Sequence, residues 1–205
     1  YRKGVKQGEA RAMLNLGTCY EFAKGVKKDM KKAFSLYLEG AKKRSGGAMC
    51  NAAWCYDNGK GTKQDPQQAF YWYEKAALQG VPRAENNLAS IYQYGREGIP
   101  ADIDKAIYWY REAAEDDYPP AMCTLGWLYE TGTGCEKNLQ KAFQWYEKSA
   151  QRGNPYAQAN LGWCYDRGLG IKMDKKKAAH WYKKAADQGS DRGMNNLGEM
   201  YRTGQ

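Results

Sequence analysis

The sequence lacks a long hydrophobic run and a Cys-x-x-Cys pair, and it contains only one histidine. Each of these features excludes a class of protein. A bilayer span needs roughly 20 consecutive apolar residues, and no segment of the 205 residues reaches that length. His180 stands alone, so a site built from several imidazoles is excluded. Serine is scarce, and no Ser-x-x-Lys motif supplies an activated nucleophile. The sequence therefore predicts a protein that is not an enzyme and uses neither metal nor cofactor.

The six cysteines do not suggest a disulfide framework. Cys19, Cys55 and Cys164 occupy one column of a repeat whose other members are apolar. Stacked copies of a column lie roughly 8–10 Å apart, whereas a disulfide needs Cα atoms within roughly 4.4–6.8 Å. Free, mostly buried thiols are expected, which favours a reducing compartment. A cytoplasmic location and a secreted or periplasmic one both stay open.

The chain consists of one 36-residue unit copied end to end, with a single slip to 37 where Glu97 is inserted. Two series of tyrosines mark the period: Tyr20, Tyr56, Tyr92, Tyr129, Tyr165, Tyr201 and Tyr1, Tyr37, Tyr73, Tyr110, Tyr146, Tyr182. A period of this length is typical of stacked helical repeats, in which each copy contacts only its neighbours.

Each copy reads as a pair of helices. The first begins near a small residue and ends at glycines, which can adopt positive φ. One polar residue then precedes the second helix in every copy, and we predict that it caps that helix: Asp29, Asp65, Asp102, Asn138 and Asp174. The second helix carries an aromatic stripe, and we assign its tryptophans to packing: Trp72, Trp109, Trp145 and Trp181.

The motifs Ala-x-x-Asn-Leu-Gly-x-x-Tyr, Gly-x-Gly, Asp-x-x-Lys-Ala and Trp-Tyr-x-Lys-Ala-Ala-x-x-Gly recur along the whole chain. In these the chain resembles the Sel1-like repeat family, a relative of the tetratricopeptide repeats. The resemblance implies an all-α, right-handed α-solenoid superhelix of helix-turn-helix repeats, whose first helices line a concave surface. It also implies an adaptor in signalling, secretion or quality-control complexes, commonly in bacteria and in the endoplasmic reticulum.

The predicted organisation is a single solenoid over residues 1–205. It divides into a partial second helix (1–11), five repeats (12–47, 48–83, 84–120, 121–156 and 157–192) and a partial first helix (193–205). Tyr1 aligns with Tyr37, inside a second helix, and is not preceded by Met. We therefore expect flanking repeats or domains of a longer chain.

A candidate partner-binding surface lies on the side of the first helices that stacking leaves unused. One column there places three indoles, Trp54, Trp127 and Trp163, where other copies tolerate small or charged residues. Tryptophan is enriched among residues that dominate interfaces. The alternative, which stays open, is that each indole lies over the neighbouring first helix and completes the packing.

Other columns of this side are polar. Asparagine amides at Asn51, Asn87 and Asn160 could clamp a peptide backbone, or could instead bond to an adjacent helix. The remaining candidate residues on this side are Asp57, Glu130, Asp166, Tyr94 and Arg167. Acids beside tryptophan suit a basic or aromatic-bearing peptide, and they disfavour nucleic acid.

The net charge of +9 is unevenly distributed. Residues 1–47 hold twelve Lys/Arg against four acids, whereas residues 84–120 hold three against eight. Two functions are therefore considered. The first is an adaptor that binds a protein or peptide in the concave groove. The alternative is an electrostatic anchor whose basic N-terminal repeat binds an anionic partner, either nucleic acid or an acidic surface.

Overall fold

The computed structural model describes residues 1–204, which are almost entirely helical. The helices are α1 (Arg2–Lys6), α2 (Ala10–Glu21), α3 (Met30–Lys42), α4 (Gly46–Asn58), α5 (Pro66–Ala77), α6 (Pro82–Tyr94), α7 (Ile103–Glu115), α8 (Pro119–Thr131), α9 (Leu139–Gln151), α10 (Pro155–Arg167), α11 (Lys175–Asp187) and α12 (Asp191–Arg202). Residues 1–204 contain no β-strand, only an isolated bridge between Arg96 and Ile99. The predicted all-α class of helix-turn-helix repeats is confirmed.

First helices (α2, α4, α6, α8, α10, α12) alternate with second helices (α3, α5, α7, α9, α11). The predicted caps of the second helices are confirmed, because each cap oxygen accepts from the backbone N–H three residues later. The Asp65 carboxylate accepts from Gln68 at 2.9 Å, and the Asn138 amide oxygen accepts from Lys141 at 2.9 Å. Asp29, Asp102 and Asp174 do the same at 3.0 Å. Each cap satisfies an N–H that would otherwise have no partner in the first turn.

Proline and glycine set the limits of several first helices. Helix α8 begins at Pro119 and α10 at Pro155, where the missing N–H costs nothing because the first turn has no acceptor for it. Both helices end at a glycine in the left-handed conformation, Gly132 with φ 77° and Gly168 with φ 69°. These signals fix the length of a first helix and therefore which side chains reach its free side.

The core of each copy is a tyrosine of the second helix packed against a glycine or alanine of the first. Tyr146 and Tyr182 are almost fully buried. A Cβ atom added at Gly126 would lie 2.6 Å from the Tyr146 ring, and one at Gly162 would lie 2.6 Å from the Tyr182 ring. The ring therefore occupies the volume that a larger side chain would take, which explains why this column holds only glycine and alanine.

The chain divides into two compact units, residues 1–112 and 113–205. In the first unit α2 packs on α3, α3 on α4, α4 on α5 and α5 on α6. In the second, α8 packs on α9, α9 on α10, α10 on α11 and α11 on α12. Each unit thus has the alternating order that the repeat predicts.

The cysteines are free thiols, as expected, but only half of them are fully buried. Cys50, Cys55 and Cys164 are buried, whereas Cys19, Cys123 and Cys135 are half-buried. Burial raises the pKa of Cys55 and Cys164 to about 12. These two buried thiols therefore stay protonated at neutral pH. They are unreactive in that form, because the thiolate is the nucleophile.

Candidate interaction site

The three indoles of the first helices remain accessible. Trp127 on α8 is 40% exposed, and Trp54 on α4 and Trp163 on α10 are half-buried. We call the surface that carries these indoles, together with the asparagine and acidic columns beside them, the first-helix face. Packing covers part of each indole and leaves the rest available for contact.

The asparagine column is used for bonds between successive first helices. Asn51 accepts a hydrogen bond from Arg83 of α6. Asn160 accepts one from the Arg192 guanidinium of α12 at 2.5 Å. Arg83 and Arg192 occupy the same position in their copies, so the bond repeats in both units. This arrangement matches the alternative in which the asparagine amides bond to an adjacent helix. The third asparagine, Asn87, lies beside the Tyr73 hydroxyl.

The acidic column contacts the buried tyrosines, and the length of its side chains decides the contact. Glu130 accepts from the Tyr146 hydroxyl at 2.5 Å, and a glutamine in the same column, Gln93, accepts from Tyr110 at 2.8 Å. Aspartate is one methylene shorter and bonds to a cation instead. Glutamate and glutamine in this column therefore accept a hydrogen bond from the core tyrosine hydroxyl, whereas the shorter aspartate does not.

Both aspartates of the column form ion pairs within their unit. Asp57 pairs with Arg96 at 2.9 Å. Asp166 pairs with Lys175 at 2.7 Å and with Arg167 at 3.3 Å. The negative charge of these candidate residues is thus already matched, which weakens the expectation that the face attracts a basic peptide.

Cations also lie against the indole of the last full repeat. The Arg167 guanidinium lies 4.7 Å from the Trp163 ring centroid, and that of Arg192 lies 6.0 Å from it. No carboxylate in residues 1–204 forms an ion pair with Arg192. This guanidinium is held by a neutral amide and an aromatic ring.

A cleft of about 150 Å³ lies between α10 and α12 on this face. Its lining includes Trp163, Asp166, Arg167, Lys175, Tyr182 and Asn196. Two of its polar atoms, the Tyr182 hydroxyl oxygen and the Asn196 amide nitrogen, are buried and have no hydrogen-bond partner in residues 1–204. Burial and the nearby Asp166 carboxylate raise the pKa of Tyr182, so its hydroxyl keeps its proton.

The candidate residues are divided between the two units. Trp54, Asn51, Asp57, Asn87 and Tyr94 lie on α4 and α6, where Tyr94 is 73% exposed. Trp127 and Glu130 lie on α8, and Trp163, Asn160, Asp166 and Arg167 on α10. Partner binding by these residues stays a prediction.

Sequence reasoning missed Arg83, Arg192, Lys175 and the free hydroxyl of Tyr182. A signal for the arginines was present, since both stand at the second position of a first helix. The free hydroxyl of Tyr182 had a weaker signal, because Asp166 stands in a column where three other copies carry the longer glutamate or glutamine.

Residues 1–204 contain no group of His, Cys, Asp and Glu arranged to hold a metal ion. No helix described in these residues is long and apolar enough to cross a membrane.

Helix pairs of constant length, stacked through a tyrosine and a small residue, define a tandem helical-repeat protein. Residues 10–45, 47–81, 82–118, 119–154, 155–190 and 191–205 each match the Sel1 repeat model. The chain therefore belongs to the Sel1 repeat family. Sel1 repeat proteins are typically non-enzymatic scaffolds, and their repeats generally serve as protein–protein interaction modules.

Solved structures of bacterial proteins share this fold. A Sel1 repeat protein from Oxalobacter formigenes is 36% identical, with a TM-score of 0.91; the match covers 97% of this chain and 80% of that one. A protective antigen with an SLR fold from uropathogenic Escherichia coli is 34% identical, with a TM-score of 0.87 over 99% of this chain and 43% of that one. No curated protein matches the sequence significantly.

Proposed function

We propose that the chain is an adaptor whose first-helix face binds an extended segment of a protein partner. Trp127 and Trp163 act as apolar anchors, and Trp54 offers an equivalent anchor in the first unit. Exposed indoles suit this role because tryptophan buries a large area and dominates many interfaces.

One observation carries the proposal: the cleft beside Trp163 holds two buried polar atoms without partners. A buried polar group without a hydrogen bond costs about 1–3 kcal/mol, so such groups are rare in folded proteins. The other copies avoid this cost in part, since Tyr146 donates to Glu130 and Tyr110 to Gln93. The last full copy keeps its hydroxyl free next to an accessible indole.

The chemistry of the cleft fits a peptide backbone. The Tyr182 hydroxyl and the Asn196 amide are both donors, and they line the same small space. A small shift of the side chains over these two buried atoms would let a carbonyl oxygen of an extended segment accept from them, while a neighbouring apolar side chain covers Trp163. The volume suits a single backbone group better than a large ligand.

The test separates binding from folding with two tyrosine variants. Peptides are selected on the wild-type protein from a display library of random linear sequences, and their affinities are then measured by isothermal titration calorimetry. Tyr182→Phe removes an unpartnered hydroxyl, so it should leave the melting temperature unchanged or raise it. The same variant should weaken peptide binding about five- to tenfold, the value of one hydrogen bond near 1 kcal/mol.

Tyr146→Phe is the matched control. It removes a hydroxyl that already donates to Glu130, so it should lower the melting temperature and leave peptide affinity unchanged. Trp127→Ala and Trp163→Ala should each weaken binding by about tenfold or more. Peptides whose affinity is the same for wild type, Tyr182→Phe and both tryptophan variants would refute the proposed face.

The alternative function, an electrostatic anchor in residues 1–47, has support at one place. Lys27 and Lys28 line a cleft beside the α2–α3 turn, whereas Lys42 and Arg44 line a different one. These basic groups therefore line two different clefts. The second cleft combines these cations with the exposed apolar side chains of Tyr71 and Leu78.

A further inference from the structure

A groove of about 570 Å³ lies between α3 and α5 in the first unit. Its lining includes Lys42, Arg44, Tyr71, Trp72, Lys75 and Leu78, and we call it the second-helix groove. Leu78 is 67% exposed and Tyr71 45% exposed, and Trp72 is half-buried. Sequence analysis assigned Trp72 to packing, and one side of the indole does pack on the core. The other side forms part of the groove.

Three cations surround this apolar surface. Within residues 1–204, neither Lys42, Arg44 nor Lys75 has a carboxylate within ion-pair distance. The Lys75 ammonium lies 5.6 Å from the centroid of the Tyr71 ring. An anionic group entering the groove would therefore meet positive charge that no carboxylate of residues 1–204 pairs with, beside exposed apolar side chains.

The repeat provides an internal comparison three copies later, in the second unit. A groove of about 510 Å³ lies there around Trp181, so the packing tryptophan and the space beside it are common to both. Of the cations, Lys75 recurs as Lys184, but the other charged and apolar lining residues differ. Lys42 is replaced by Gln151, Arg44 by Gly153, Tyr71 by His180 and Leu78 by Asp187.

The second-unit groove is also bridged by its own side chains. The Gln188 amide donates to the Gln158 side chain at 2.8 Å, and Gln158 donates to the Ala150 carbonyl at 3.2 Å. In the first unit the corresponding pair is Gln79 and Met49, joined only by a 3.7 Å contact to sulfur. The stack therefore does not require the basic and apolar lining of the second-helix groove.

Arg44 adds a second observation. Its backbone has φ 64°, in the left-handed region that side chains other than glycine disfavour. The same column in other copies holds Gly8, Gly80, Asp117, Gly153 and Gly189. An arginine at a position where glycine folds more easily indicates that its side chain has a use other than stabilising the helix end.

We propose that the second-helix groove is a further docking site, which binds an acidic segment of a protein partner carrying one large apolar side chain. The apolar side chain packs on Trp72 and Leu78, and the carboxylates pair with Lys42, Arg44 and Lys75. This surface lies on second helices and is separate from the first-helix face. It gives the chain a second binding surface of different specificity, as an adaptor requires.

The test starts from the same display library of random linear peptides, selected on the wild-type protein. We expect one enriched class to contain several Asp or Glu and one large apolar residue. A synthetic peptide of that class is then titrated into a variant that combines Lys42→Gln, Arg44→Gly and Lys75→Gln. Its affinity should fall by about three- to a hundredfold, because three exposed ion pairs with the peptide are removed and each contributes a factor of about 1.4 to 5 in affinity.

Two controls show whether the loss of peptide affinity comes from the groove itself. Lys27→Gln, Lys28→Gln and Lys31→Gln together remove the same charge from the same unit at another place, and affinity should stay within about twofold of wild type. Leu78→Asp introduces the residue that the second unit carries, and it should abolish binding by repulsion. Arg44→Gly also relieves the left-handed backbone, so the melting temperature of the single variant should rise, which confirms that the variant is folded.

Several results would overturn the proposal. The absence of an acidic class among the enriched peptides would do so, as would an equal loss of affinity in the groove variant and the charge-matched control. A thymidine oligonucleotide that displaces the peptide and binds more tightly would assign the groove to nucleic acid instead. Tyr182→Phe should not change the affinity of the acidic peptide, so failure of the first-helix proposal and failure of this one are distinguishable.

Discussion

At the scale of single residues, each copy depends on close contact between a tyrosine ring and a residue with little or no side chain. The contact is the same in both units, but what the hydroxyl at the end of the ring does differs between copies. Tyr146 reaches Glu130, whereas Tyr182 faces Asp166, which binds Lys175. The core is therefore constant, and variation appears where the core meets the first-helix face.

Gly162→Ala should destabilise the second unit, because the added methyl would lie 2.6 Å from the Tyr182 ring and neither helix can retreat without losing its packing. Overpacking of this kind costs about 1–3 kcal/mol. Gly198→Ala is a matched control in the same column, since its Cβ would have no atom within 4 Å. There alanine should stabilise α12 by about 0.5–1 kcal/mol. Chemical denaturation measures both, and equal effects at the two sites would contradict the tight contact.

At the scale of elements, the helix limits follow local rules, which is why sequence could predict them. A cap needs only a polar residue and a backbone N–H three residues away, and both are visible in the sequence. The partner of Asn160 is different, because Arg192 belongs to the next repeat and reaches the amide only after the helices have stacked. Periodicity predicts which column a residue occupies, but not how far its side chain extends or what it meets.

Asp65→Ala should lower the free energy of unfolding by about 1 kcal/mol, because the Gln68 N–H at the start of α5 loses its acceptor. Asp65→Asn is the matched control. Copy four uses Asn138 at the same position and keeps the bond, so this variant should remain close to wild type. Urea denaturation monitored by helical circular dichroism makes the comparison. If both variants lose the same stability, the charge of Asp65 matters more than its cap.

At the scale of the whole molecule, the repeat made the fold predictable because every copy independently indicates the same pair of helices. A motif that is ambiguous in one copy is read from the others, and the all-α assignment does not depend on any single residue. Binding sites lack this redundancy. Sequence located the accessible indoles of the first helices, but treated Trp72 as packing because it recurs, and so missed the groove that its variable neighbours form.

The stability of the molecule should fall steeply at alkaline pH, because burial raises the pKa of one core tyrosine in each full copy. These are Tyr37, Tyr73, Tyr110, Tyr146 and Tyr182. In the unfolded chain tyrosine ionises near pH 10, whereas the buried hydroxyls keep their protons to higher pH. The folded state then binds more protons than the unfolded state, so stability is fully present below about pH 10 and is lost as pH rises above it.

Thermal melts between neutral and strongly alkaline pH measure this loss, and Tyr182→Phe separates the tyrosine effect from that of the lysines. The variant has one fewer buried group to ionise on unfolding, so its melting temperature should fall less steeply than that of wild type above about pH 10. Below that pH the two curves should run parallel, whatever their offset. Parallel curves over the whole range would mean that the Tyr182 hydroxyl ionises in the folded protein, which is incompatible with its burial between α10 and α12.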